Sequence, residues 1–325
     1  MAHLGIGLIG VGKHGSRYAR HIREDLPDVR LVGVARRTPE LARRQAAELG
    51  CRAYTDYREL IAAPDVDVVV VVVPPTMNAE IVEAAAAQRR PVLLEKPAAP
   101  SLADGQRMLR AVRAAGIPLM VAQTLRYNGV VQALGAARER IGAVHALRIC
   151  QRFEPSRPGW IDDPNIAGGG IMLHTGVHSF DLVRVLSARE AERVSCEIAS
   201  VGTLRTEDNF AAVVRLQGGV IACVSGSRAT ASRSGAIELA GTHGQLIADH
   251  VLNTALIVQG AVATPLAVPP AVPTVCAVLQ DFVQAVRRGT PVPIPLEEGL
   301  RAVAMTEAGY RAARTGQAVP VVAVD

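Results

Sequence analysis

The run Val66-Asp67-Val68-Val69-Val70-Val71-Val72-Val73 constrains the fold of this chain more than any other stretch. It is β-branched almost throughout and has no polar face. Such a strand is stable only when both sides are covered, as in a parallel sheet flanked by helices. Pro74 and Pro75 end the run, and it is far too short to cross a membrane. The neighbouring sequence repeats the theme. LGIGLI (4–9) stops at Gly10, residues 14–25 carry a helical pattern, and RLVGVA (30–35) reads as a second strand. PELARRQAAEL then reads as a helix ended by Gly50. After the valine run come the helix AEIVEAAAAQ, the strand PVLL (91–94), a helix capped by Ser101 and ended by Gly116, and the strand PLMVAQ. Repeated βα units of this kind predict an α/β domain with a doubly wound parallel sheet over residues 1–122.

The pattern changes after about residue 123, and 325 residues exceed the usual size of one core, so two domains are expected. Residues 168–186 read as a loop opening a helix. Between 193 and 259, alternating runs pair around Gly218-Gly219 and Thr242-His243-Gly244, the pattern of an antiparallel meander. A Pro-rich passage (265–273) reads as a loop, and helices over 274–288 and 297–314 close the chain. The second domain is therefore predicted as α+β over residues 123–325, with the last helix packing back toward the first domain. Net charge is +5, but the arginines are interleaved with acids, so a nucleic-acid partner is not expected and an anionic cofactor is. Five dispersed cysteines fit reduced thiols in a cytoplasm and speak against a disulfide frame or a cysteine zinc site. The apolar N-terminus lacks a basic leader region and reads as a strand.

Gly10-Val11-Gly12-Lys13-His14-Gly15 is a G-x-G-x-x-G that follows a strand and opens a helix. In that context Gly10 permits a tight turn, Gly12 lets backbone meet pyrophosphate, and Gly15 lets helix pack on strand. The helix start supplies N–H groups and a positive dipole for phosphates. Where an NAD-type site places an acid at the end of the second strand, this chain has Arg36-Arg37-Thr38. A guanidinium binds a 2′-phosphate that an acid would repel, so NADP(H) is predicted over NAD(H). Candidate cofactor contacts are Gly10, Val11, Gly12, Lys13, His14, Gly15, Arg36, Arg37, Thr38, Pro74, Asn78, Glu95 and Lys96.

Only Lys13 and Lys96 are lysines among 35 Lys plus Arg. Glu95-Lys96-Pro97 closes a buried strand at the edge where doubly wound sheets bind ligands. A lysine ammonium can be pushed toward neutrality by burial or a neighbouring cation and can exchange protons near neutral pH, whereas an arginine cannot. Further along, Gly168-Gly169-Gly170 precedes His174 and His178, which at i and i+4 are expected on one helical face, with Asp181 placed to orient His178. Three readings of the pair stay open: zinc ligands, catalytic or substrate-contacting groups, or satisfied core residues. The second is preferred and no metal is expected, because no third ligand follows at a suitable spacing. Trp160, the only tryptophan, reads either as a cover for a sugar face or as a core residue.

The glycine turn, the double proline after the valine run, VLLEKP, the GGG-x₇-H-x-x-D segment and the closing EEGLRAVAMTEAGYRAARTGQ together resemble the glucose-fructose oxidoreductase, inositol dehydrogenase and MocA (Gfo/Idh/MocA) family over nearly the whole chain. The resemblance implies a Rossmann domain followed by an α+β domain with a large open, mainly antiparallel sheet. It implies hydride transfer between nicotinamide and a hydroxyl or ketone carbon of a sugar, cyclitol or related polyol. On it, Lys96 is the catalytic lysine, His178 exchanges the hydroxyl proton, and His174 assists from a position where the family commonly has aspartate. A histidine common just beyond the double proline is Asn78 here, and AQTLRYNG departs from the usual form while still offering Arg126, Tyr127 and Asn128 as substrate donors. The implied assembly is a homodimer or homotetramer through the C-terminal sheet. Two other functions remain open: a hydrolase or lyase of the same fold with a tightly bound, transiently used nicotinamide, and a non-catalytic NADP(H)-binding sensor or subunit.

Overall fold

Six parallel strands form the first sheet of the computed structural model, which describes residues 3–155 and 159–324. In chain order they are β1 (Leu4–Ile9), β2 (Val29–Ala35), β3 (Arg52–Tyr54), β4 (Val68–Val71), β5 (Val92–Glu95) and β6 (Leu119–Ala122). Their spatial order is β3-β2-β1-β4-β5-β6, so the winding reverses between β1 and β4. β4 pairs with β1 on one side and β5 on the other, and its four valines are fully buried, as a run without a polar face requires. Connecting helices are α1 (Gly15–Glu24), α2 (Pro39–Leu49), α3 (Tyr57–Ala62), α4 (Asn78–Ala87) and α5 (Leu102–Ala115). α2 and α5 end at Gly50 and Gly116 in the left-handed conformation, and the Ser101 hydroxyl accepts from Asp104 N at the start of α5. The short β3 and α3 have no counterpart in the sequence reading, since three largely exposed residues leave no periodic signal.

The second sheet has nine strands: β7 (Val144–Arg152), β8 (Ala191–Ala199), β9 (Asn209–Leu216), β10 (Ile221–Ser227), β11 (Ser234–Gly241), β12 (Gly244–Asp249), β13 (Thr254–Gln259), β14 (Val262–Pro265) and β15 (Val319–Pro320). Its order, β14-β13-β12-β11-β7-β10-β9-β8-β15, corrects the expected meander. β7 inserts between β11 and β10 and runs parallel to β10, so the two hairpins lie on opposite sides of it. Helices α6 (Gly129–Ala137), α7 (Pro164–Ala167), α8 (Val177–Ser187) and α10 (Leu296–Thr315) belong to this part of the chain, α10 from Leu300 onward. Val131, Phe180, Val183, Phe210, Val224, Ile237 and Met305 share its buried core.

The chain divides into two compact units, Met1–Thr124 with Pro273–Gly299, and Leu125–Val272 with Leu300–Asp325. This differs from a single cut after residue 122, because the segment carrying α9 (Thr274–Arg288) returns to the first unit. There Arg287 pairs with Asp28 at 3.3 Å, and Val121 N in β6 donates to Ile294 O at 2.9 Å. No helix among the described residues is long and apolar enough to cross a membrane.

Candidate active site

At the C-terminal end of β1 the three glycines of the turn have distinct surroundings. Gly10 has φ +90°, and a Cβ there would lie 2.1 Å from Val72 O. A Cβ on Gly15 would lie 1.9 Å from Gly10 O, so helix and turn close on each other only through glycine. A Cβ on Gly12 would meet nothing within 4 Å, which leaves that backbone open to a ligand. His14 is the N-cap of α1, but its side chain makes no capping bond to it. The open backbone at Gly12 and the uncapped start of α1 fit the phosphates of a dinucleotide.

Arg36, at the end of β2, is half-buried and donates to Val11 O (3.1 Å) and Gln45 Oε1 (3.0 Å). Gln45 Nε2 reaches the same carbonyl at 2.7 Å, so the turn and the end of β2 are held as one piece. Lys13, Arg37 and Thr38 are exposed.

Glu95 is the point where the turn and the Glu-Lys-Pro segment meet. Its buried carboxylate accepts from His14 Nε2 at 2.7 Å and from Tyr18 OH at 2.9 Å. Burial alone would raise its pKa. The hydrogen bond and charge of His14, the charge of Lys96 and the Tyr18 hydrogen bond outweigh burial and hold the carboxyl below the usual range. Burial, then the Glu95 charge, pushes the Tyr18 phenol well up. On the other side of Lys96, Asn78 Nδ2 donates to Pro97 O (3.1 Å) and Ala98 O (3.0 Å). Asn78 is only 1% exposed, and its Nδ2 is taken up by the Lys96 loop. Pro74 precedes the short 3-10 turn Pro75–Met77 that leads into α4. Half-buried Lys96 is thus flanked by two buried side chains that fix its backbone.

In the second unit the triple glycine is shaped by residues the sequence reading missed. The Glu207 carboxylate accepts from Gly170 N (3.1 Å), Met172 N (2.9 Å) and Tyr310 OH (2.7 Å). A Cβ on Gly170 would lie 2.0 Å from Glu207 O, and one on Gly169 would lie 2.4 Å from Tyr310 OH. Burial raises the Glu207 pKa, and these hydrogen bonds offset it only in part. Asp162 accepts from Leu204 N, Arg205 N and Thr206 N, bonds that hold its pKa at about 2 and tie the segment before Glu207 to the turn bearing Trp160. The pair Glu207-Asp208 before β9 is the only trace of this in the sequence, and nothing in its spacing points to Gly170.

The anchored segment continues as one π-helical turn, Met172–Gly176, before α8. The wider turn disturbs the i,i+4 register assumed for His174 and His178. His174 is 8% exposed and its Nε2 lies 3.0 Å from Ala167 O; a carbonyl only accepts, so Nε2 carries the proton there. Trp160 meets the His174 ring edge-on at 5.6 Å and is 37% exposed, which removes the core reading of the tryptophan. His178 is half-buried on α8. Both Asp181 oxygens accept from Arg126, at 2.8 and 2.5 Å, so Arg126 is held by a buried carboxylate. Asn128 Oδ1 caps α6 by accepting from Val130 N and Val131 N, and Tyr127 is half-buried.

A doubly wound sheet with this glycine turn, joined to an open mixed sheet, is the build of an NAD(P)-dependent dehydrogenase or reductase. A model described as an oxidoreductase family with an NAD-binding Rossmann fold matches residues 4–123, and one for the GFO/IDH/MocA C-terminal domain matches residues 136–247. The chain belongs to the Gfo/Idh/MocA family of oxidoreductases. It is 28% identical to myo-inositol 2-dehydrogenase from Thermotoga maritima, over 95% of each chain. It is 31% identical to 1,5-anhydro-D-fructose reductase from Ensifer adhaerens, over 83% of this chain and 84% of that one. Its fold superposes on levoglucosan dehydrogenase in complex with NADH with a TM-score of 0.91, at 22% identity, over 99% of this chain and all of the other (100%).

Proposed function

We propose that this enzyme transfers hydride between NADP(H) and a hydroxyl or ketone carbon of a sugar, cyclitol or related polyol. The observation that carries the reading is the fixed lysine. Glu95 is bonded to His14 of the glycine turn while Asn78 holds Pro97 and Ala98, so Lys96 stands on a rigid segment tied to the dinucleotide turn. The bound nicotinamide supplies the hydride donor or acceptor. Lys96 polarises the substrate oxygen or protonates it, and His178 takes or gives the hydroxyl proton. His174, with Nε2 held by Ala167 O, assists from the π-helical turn, and Trp160 covers the substrate. Tyr127 contributes a substrate contact, while Arg126 acts through Asp181 and Asn128 through the start of α6. The names of the two similar curated enzymes, an inositol dehydrogenase and an anhydrofructose reductase, support the polyol and sugar class.

NADP(H) is preferred in this reading because Arg36-Arg37-Thr38 stands where a ribose-binding acid would be. A homodimer or homotetramer through the second sheet is part of the reading, and so is a cytoplasmic setting, which suits five free thiols. Polyols and sugars screened by nicotinamide absorbance with each dinucleotide test it. The expected result is turnover of at least one such substrate with a lower KM for NADP(H). A clear preference for NAD(H) contradicts the cofactor assignment, and product formation without net dinucleotide turnover contradicts the reaction.

A further inference from the structure

Among the described residues, three potential metal ligands of different chemistry come together away from the site above: His21 on α1, Asp25 just after it, and Cys276 on α9. One ligand atom from each lies within 4.8 Å of the other two. All three belong to the first unit, because Pro273–Gly299 folds with it. We propose that they form a site for a zinc-type divalent cation that clasps α9 to α1. The expectation of no metal concerned His174 and His178; this separate cluster joins residues of α1 to Cys276 from the far end of the chain.

The chemistry of the donors selects the ion. One imidazole nitrogen, one thiolate and one carboxylate oxygen suit Zn²⁺, whereas Mg²⁺ and Ca²⁺ require oxygen-rich sites. His21 and Cys276 are 4% and 7% exposed, while the Asp25 side chain is 46% exposed. The buried pair shields the ion, and the carboxylate side leaves an entry path and room for water as fourth ligand. His21 Nδ1 and Asp25 Oδ2 already lie 2.6 Å apart. Tetrahedral bonds of about 2.0–2.3 Å set ligand atoms roughly 3.3–3.8 Å apart, so binding needs side-chain shifts of about 1 Å. On binding, the thiol proton leaves to solvent as the sulfur–metal bond forms. The ring proton shared with Asp25 moves to Nε2, and the exposed Arg20, 3.3 Å from that nitrogen, turns to water. No electron is transferred.

Co²⁺ titrated into the purified, metal-stripped full-length protein tests this. The expected result is one equivalent bound, with a thiolate-to-cobalt charge-transfer band and tetrahedral ligand-field bands, both displaced by Zn²⁺. Cys276→Ser abolishes the charge-transfer band, and Asp25→Asn, at an exposed position that tolerates change, weakens affinity roughly tenfold. Zn²⁺ raises the Tm of the wild type and not of Cys276→Ser. Absence of the band at saturating Co²⁺, a band that survives in Cys276→Ser, or unchanged affinity in Asp25→Asn overturns the site.

Discussion

The three glycines of the dinucleotide turn make different demands, and substitution separates them. At Gly12 a methyl group meets no protein atom, so Gly12→Ala is expected to fold with a Tm close to wild type yet bind dinucleotide at least about tenfold more weakly, by displacing the close phosphate approach. At Gly15 the same methyl group would collide with Gly10 O, so Gly15→Ala is expected to cost about 1–3 kcal/mol or more of stability. Urea denaturation and fluorescence titration with dinucleotide distinguish the two, and equal behaviour would contradict the assignment. The tight turn at Gly10 and the close packing at Gly15 were legible in the sequence because each follows from a local turn. The partners of Glu95 and Asn78 were not, since His14 and Pro97 reach them only after the sheet has formed.

The loop and π-helical turn of residues 168–176 form an element whose shape comes from Glu207 and Tyr310. Burial holds the Glu207 pKa above that of an unfolded glutamate, so the folded state keeps its proton longer as pH rises. That contribution to stability is complete at pH below the unfolded value and declines as pH rises through the folded one. Glu207→Gln removes this decline, which equilibrium unfolding across pH 4 to 8 reads directly, a range that starts near the ordinary glutamate value of about 4.3. Tyr310→Phe takes one hydrogen bond from the carboxylate and is expected to cost about 1 kcal/mol. A wild-type stability curve without that falling limb would show that the carboxyl is not shifted upward. Glu95 gives the opposite slope: its depressed pKa stabilises the fold above the unfolded value and is lost as pH falls through the folded one. The sequence revealed the triple glycine but not its cause, because Glu207 lies beyond β8 and contacts it only in three dimensions.

At the scale of the molecule, one face of the nine-stranded sheet is covered by helices and the other carries Val213 (49% exposed), Ile221 (43%) and Ile247 (37%). The Arg148–Glu238 ion pair shares this face, and the assembly proposed above would bury these side chains. Replacing Val213 and Ile221 together with lysine is expected to shift the mass measured by light scattering toward the monomer; an unchanged mass would contradict assembly through this face. The parallel domain was readable because its valine run and glycine caps are local signals. The order of the second sheet was not, since β7 pairs with strands far along the chain and its insertion leaves no mark in the alternation of β9 to β13.

In the proposed mechanism Lys96 serves as a titratable amine on a rigid segment beside the dinucleotide turn. The most direct measurement is kcat together with dinucleotide affinity for Lys96→Arg, using any substrate the wild type turns over. A fall in kcat of about a hundredfold or more is expected, the scale of a lost general acid or base, with dinucleotide affinity nearly unchanged. A variant that retains wild-type kcat would contradict it.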